Sequence, residues 1–306
     1  MTPSSSSSAA RLHLIDLNFQ SVRGVIACYA LESAGGLILI DPGPSSTLGA
    51  LRAGLQNLGL KLADVRHVLL THIHLDHAGA AGTLAGETGA TVYVHARGAN
   101  HLARPERLLA SAAQIYGERM DTLWGEMRPV PQEKLRVPGG GEVLDVGGLT
   151  FEAFYTPGHA VHHLAWRLGD DLFCGDVAGI RLDARQSPRP PTPPPDIDLE
   201  AWRESIEKLS ALNVKTLHLT HFGSYSDVRE HWAALARNLD VDADRVRGPL
   251  ARGASLDEVT QEFTRAVEAD FAAEGVDLAR VRFASPAWMS VQGLARYWQK
   301  KQRAQD

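Results

Sequence analysis

The segment Thr71-His72-Ile73-His74-Leu75-Asp76-His77-Ala78-Gly79 restricts this 306-residue chain more than any other. Imidazole and carboxylate are borderline-to-hard ligands suited to Zn²⁺, Mn²⁺ or Fe. In an extended loop, side chains two apart point the same way. His72 and His74 can therefore grip one ion together. Asp76 and His77 follow where the chain turns through Ala78-Gly79, so they can face a second ion. Three more donors, His159, Asp176 and His221, each stand at the end of an apolar stretch. Five histidines and two aspartates exceed the needs of one tetrahedral structural site. A pair of ions about 3.5–4 Å apart can use all seven and keep positions open for water. Asp176 has two oxygens with which to bridge them. His159 would complete the shell of the first ion and His221 that of the second.

The residues around these donors carry a resemblance. The His-x-His-x-Asp-His loop, Thr156-Pro157-Gly158-His159, Cys174-Gly175-Asp176 and Leu219-Thr220-His221 resemble the metallo-β-lactamase-fold hydrolase superfamily. So does Leu37-Ile38-Leu39-Ile40-Asp41-Pro42-Gly43, a strand ending in Asp-x-Gly. The resemblance spans about residues 12–223. It implies a four-layer αββα sandwich, whereas the sequence pattern alone gives only the α/β class. It also implies that Asp41 supports the ligands from behind, and that His163 holds the place of a second, non-ligating histidine. Asp176 as a bridging ligand argues against a true β-lactamase, whose relatives lack that carboxylate. His74 in place of Glu, with no flavodoxin-like domain following, disfavours the diiron oxygen- or nitric-oxide-reducing branch. Thr156-Pro157-Gly158-His159 also resembles glyoxalase II, although His162 stands where that family has Gly.

Strand and helix patterns alternate from Leu12. Val65–Leu70 is a short apolar strand that delivers the metal loop, the usual placement of ligands in open α/β sheets. Residues 103–127 have helical character and could lie over the site. Asp198 suits the N-cap of a helix whose apolar positions are Leu199, Trp202, Ile206 and Leu209. His95 reads as a helix-start residue. After Gly223 the pattern is helical only, with a capping box at Ser255-Leu256-Asp257-Glu258. Three segments follow: a Ser-rich disordered lead-in over 1–11, a catalytic domain over 12–223 and a helical appendage over 224–306. The appendage has three possible uses: packing on the main domain, covering the site mouth, or forming a homodimer face.

The net charge of −5 steers nothing toward nucleic acid. Cys28 and Cys174 lie in apolar strand-like runs and read as buried thiols, which fits a cytoplasmic setting. The first ten residues lack the apolar segment of a signal peptide, and no stretch approaches the length of a membrane span.

The expected chemistry is hydrolysis by a hydroxide shared between two divalent ions, zinc foremost, with Mn or Fe as alternatives. Two ions, two aspartates and hydroxide leave roughly +1 at the centre, which favours anionic or carbonyl-containing small molecules. Asp76 is the candidate proton shuttle. Tyr225 is a candidate donor to an oxyanion. The proline-dense stretch 178–197 is stiff. It reads either as a wall of the substrate pocket, with Arg181, Arg185 and Arg189 meeting an acidic substrate, or as a surface strap. The leading expectation is a binuclear hydrolase of small esters, lactones or thioesters. The alternatives are a metal-retaining signalling protein of the same fold, a nuclease or phosphodiesterase, and a mono-iron persulfide dioxygenase.

Overall fold

The computed structural model describes residues 10–303. The lead-in expected over 1–11 therefore lies almost wholly outside the described residues. The first sheet runs β1 (Leu12–Asp16), β2 (Ala27–Ser33), β3 (Gly36–Ile40), β4 (Val65–Leu69), β5 (Thr91–Tyr93) and β6 (Leu135–Arg136) in spatial order. Its first three strands are antiparallel, and β3 through β6 are parallel. The second sheet contains β7 (Val143–Val146), β8 (Leu149–Tyr155), β9 (Leu164–Leu168), β10 (Asp171–Phe173), β11 (Thr216–Leu219) and β12 (Gly223–Tyr225). It is antiparallel except where β10 meets β11.

Period-two alternation splits each strand between two cores. Tyr29, Leu31, Ile38 and Ile40 meet Phe151, Leu164, Trp166 and Phe173 between the sheets. Their neighbours Cys28, Ala30, Leu37 and Leu39 face outward onto a helical layer. That layer contains α1 (Leu48–Asn57), α2 (Leu75–Ala78), α3 (Ala81–Thr88), α4 (Ala96–Ala103), α5 (Glu106–Tyr116) and α6 (Met120–Trp124). Behind the second sheet stand α7 (Leu199–Ser210), α8 (Val228–Ala251), α9 (Leu256–Glu274) and α11 (Ala287–Arg303), while α10 (Leu278–Ala284) packs against Ile180, Leu182 and Phe271. The result is two sheets between helical layers, with a helical C-terminal extension.

The helical stretch expected over 103–127 is three helices, interrupted at Pro105 and Gly117. Proline lacks the donor an interior turn needs, and Gly117 takes positive φ. Sheet structure continues two residues past the expected end of the catalytic segment, through Tyr225, because β12 pairs with β11. Asp198 caps α7 by accepting from Ala201 N, and the Ser255–Glu258 capping box forms at α9.

The C-terminal helices share a core with the second sheet. Trp202, Leu217 and Leu219 cluster with Trp232, Leu235, Leu239, Val259, Phe263 and Leu294. Gly158 makes this packing close: at φ +137°, a Cβ there would lie 2.4 Å from Trp202 Cα. Among the described residues no helix is long and apolar enough to cross a membrane.

Trp232→Ala removes a buried side chain from this shared core and should cost about 3–5 kcal/mol. A denaturant titration followed by far-UV signal and Trp fluorescence should show one lowered, coincident transition. Two separate transitions would mean that the extension folds as its own unit.

Candidate metal centre

All seven expected donors converge at the carboxyl ends of strands. His72 to His77 follow β4, His159 follows β8, Asp176 follows β10 and His221 follows β11. Their ligand atoms form three groups, each lying within 4.8 Å: His72, His74 and His159; His72, His77 and Asp176; Asp76, His77 and His221.

Hydrogen bonds behind the rings set which nitrogen faces inward. His159 Nδ1 donates to Pro191 O at 2.8 Å and His221 Nδ1 to Val25 O at 2.9 Å. His77 Nδ1 donates to Asp41 Oδ2 at 2.8 Å. In neutral rings these bonds leave bare lone pairs on the three Nε2 atoms. His72 Nδ1 lies 3.1 Å from Thr71 Oγ1, whose own proton goes to Asp41, so His72 also offers Nε2. His72 Nε2 and His159 Nε2 approach His74 Nδ1 at 2.9 and 3.0 Å. Asp176 spans both halves. Its Oδ2 is 3.4 Å from His159 Nε2, while its Oδ1 is 3.3 Å from His77 Nε2 and 3.6 Å from His221 Nε2. Asp76 Oδ2 is 3.3 Å from His221 Nε2.

This donor set fits metal ions. Lone pairs aimed at one another repel unless a proton or cation lies between them. His77 Nε2 and Asp176 Oδ1 are buried, face each other and have no hydrogen-bond partner, an arrangement native proteins rarely leave uncompensated.

The electrostatics agree. Burial, reinforced by neighbouring imidazoles, holds His72 well below the ordinary histidine range. Burial likewise takes His74 down to about 3, with His159 adding to the shift. These two rings stay neutral at neutral pH. Burial also opposes charge on His77 and His221, but nearby carboxylates, Asp176 first, push both upward. Asp76 is pulled to about 2 by His77 and His221 against the effect of burial.

Asp41 stands behind the cluster, as the resemblance implied. It accepts from Thr71 N at 2.8 Å, Thr71 Oγ1 at 2.7 Å, Thr220 Oγ1 at 2.8 Å and His77. His163 pairs with Thr156 Oγ1 at 2.8 Å, and its ring stacks on His72 at 5.1 Å. Gly175 permits this packing: a Cβ there would sit 2.4 Å from Thr71 Oγ1 and 2.8 Å from His163 Nε2. His95 caps α4, as expected.

Two expectations fail. Tyr225 is no oxyanion donor. Its hydroxyl lies against the carbonyls of Arg181 and Phe222, Arg181 covers its ring at 4.1 Å, and it does not line the cleft above the cluster. The arginines of the proline-rich stretch do not line that cleft either. Arg181 pairs with Asp227, Arg189 with Asp242 and Asp270, and Arg185 with Asp183. The prolines do form a wall, since Pro191 and 193–195 line the cleft. The sequence pattern assigned no role to His162, which also lines the cleft and lies parallel to His72 at 6.1 Å. Its only signal was its position between His159 and His163.

A family model described as "Metallo-beta-lactamase superfamily" matches residues 22–221. The metallo-beta-lactamase fold-containing protein ST1585 of Sulfurisphaera tokodaii is 29% identical over 224 residues, covering 70% of this chain and 82% of that protein. The crystal structure of the metallo-beta-lactamase family protein TTHA1429 from Thermus thermophilus superposes with a TM-score of 0.66 at 25% identity. It covers 95% of this chain and 93% of that one. A hydroxyacylglutathione hydrolase of Albidiferax ferrireducens is 31% identical over 145 residues, 47% of this chain and 40% of that protein.

Metal analysis should find two equivalents per chain in the wild type and at most one in Asp176→Ala. Two retained equivalents in the variant would contradict a shared carboxylate. The metal-free protein should also lose stability on acidification. Burial depresses His72, His74, His159, His162 and His163. Below about pH 6.5 the unfolded chain therefore binds more protons at these sites than the folded one does. His77 and His221, raised, act in the opposite sense but are fewer. Urea midpoints of chelated protein should fall between about pH 7.5 and pH 5.5, and a flat or rising profile would refute this assignment.

Proposed function

Since this chain belongs to the metallo-beta-lactamase superfamily, we propose that it is a binuclear metal-dependent hydrolase of esters, lactones or thioesters. The observation that carries this reading is the pair of lone-pair clusters joined through Asp176 at the floor of a cleft. His72, His74 and His159 would hold one divalent ion, and Asp76, His77 and His221 the other, with Asp176 reaching both. Zinc leads, with Mn or Fe also suited to the donors. Ions bound there would ionise water near neutral pH and polarise the electrophilic oxygen of the substrate.

The protein's own groups do the rest. The Nδ1 bonds of His77, His159 and His221 fix ring orientation, so the donor lone pairs are in place before substrate arrives. Asp76 turns Oδ2 toward His221 and borders the cleft, where it can take a proton from the attacking water and pass it to the leaving atom. The balance is simple: water's oxygen bonds to the carbonyl carbon, the C–S or C–O bond breaks, and one proton goes to the departing sulfur or oxygen. The acid product loses the second proton to solvent.

Thioesters stand first among the candidates because a hydrolase named for a glutathione thioester aligns with part of the chain. The persulfide dioxygenase reading needs one iron, which would leave His77 and His221 unused. Both aim Nε2 at Asp176.

The test uses metal-replete protein on matched ester, lactone, thioester and phosphodiester substrates. A carbonyl substrate should turn over, chelation should abolish the activity, and divalent metal should restore it. No turnover of any carbonyl substrate would overturn the proposal and favour a signalling role. Cleavage confined to phosphodiesters would favour the nuclease branch.

A further inference from the structure

We propose that the cleft above the metal cluster is an acyl-chain site, roofed by the C-terminal helices, and that the substrate carries a flexible apolar acyl group. This rests on the hydrolase reading and names its substrate class. The cleft has a volume of about 830 Å³, within the usual range for pockets that enclose a small molecule. It is far larger than a packing defect in a close-packed interior. His74, Asp76, His159, Asp176 and His221 border it, so it is continuous with the reacting centre.

Away from the cluster the walls are mostly apolar, and they come from distant parts of the chain. Ile73 belongs to the metal loop, Tyr116 to α5, Val267 and Phe271 to α9, and Met289 to α11. Tyr116 Oη reaches Met289 Sδ at 3.9 Å, and Phe19 lies 5.4 Å from Trp124 and 5.6 Å from Phe283. These contacts join α5 and α6 to α10 and α11 over the cluster. Ala284 packs against the hydrophobic clusters on both sides of the gap. Residues 283–289 are neither buried nor, Phe283 apart, freely exposed. Apolar side chains held half-covered around an open space gain stability when an apolar ligand fills it.

Charge sorts the two ends of the substrate. Arg97, Arg107 and Arg119 lie at the border of the cleft, exposed, and among the described residues none has a carboxylate partner. A leaving group bearing negative charge suits that border, which leaves the apolar interior to the acyl side.

The test separates binding from turnover. Calorimetric titration of metal-loaded protein with straight-chain carboxylates, from butyrate to dodecanoate, reads the acyl site without any chemistry. Affinity should rise roughly three- to fourfold per methylene until the cleft is full, as burial of each CH₂ dictates. Val267→Trp should make that rise stop at a shorter chain. Ala284→Phe should do the same, and serves if Val267→Trp does not fold. A flat series, or a chain-length limit that neither folded variant shifts, overturns the acyl site. Tighter binding of a branched or aromatic acid than of any straight chain also overturns it. Turnover of thioesters with a flat series would leave the hydrolase standing and this inference refuted. A rising series without turnover of any ester or thioester would do the reverse.

Discussion

Asp41 holds the site together. A carboxylate buried without donors would cost several kcal/mol, and this one is fully enclosed. It survives because the ends of β3 and β4 in the first sheet meet the end of β11 in the second, and donors come from three residues: Thr71 by backbone and hydroxyl, Thr220 by hydroxyl, and His77 by its ring. The same bonds fix where the metal loop leaves β4, where the chain turns after β11, and which nitrogen His77 turns inward. Asp41 itself sits at φ +49°, a left-handed conformation that costs a non-glycine residue about 1–2 kcal/mol. Its four donors outweigh that strain. One carboxylate thereby couples the backbone at three strand ends to the geometry of the cluster.

With that framework fixed, the cluster carries an electrostatic tension that only a cation or proton relieves. His72 and His159 both aim Nε2 lone pairs at His74 Nδ1, which has one proton at most to offer the two of them, and His77 Nε2 faces Asp176 Oδ1 across 3.3 Å. The folded chain keeps most of these rings neutral through burial, which is the state a metal ion requires of its ligands. For His72, His74 and His159 folding and ligand readiness are thus the same event, whereas His77 and His221, which Asp176 pushes upward, keep a proton that an incoming ion must displace.

Much of this was readable from the sequence, and the reasons are local. The metal loop packs four donors into one turn, and the remaining donors end apolar runs that could only be strands. Asp41 was readable because it ends one too. Tyr225 was not, because closeness to His221 along the chain says nothing about direction, and the pairing of β12 with β11 turns its hydroxyl toward backbone carbonyls. Arg181 and Arg189 were illegible for a different reason. Their partners, Asp227, Asp242 and Asp270, come from helices up to 81 residues away, and no short-range pattern links them.

Those same ion pairs attach the extension. Arg189 is buried against α8 and α9 by two aspartates, Arg181 against the start of α8 by one, and the prolines that follow are left facing the cleft. The strap is therefore clamped on its outer side by ion pairs and on its inner side by Pro191 O, which accepts from His159. A shift of α8 or α9 would be felt at His159 through this stiff segment. The helices after Tyr225 thus act on the centre in two ways. They close space above it, and through the strap they orient one of its ligands. A sandwich without them would retain the seven donors but lose both the enclosure and the support behind His159.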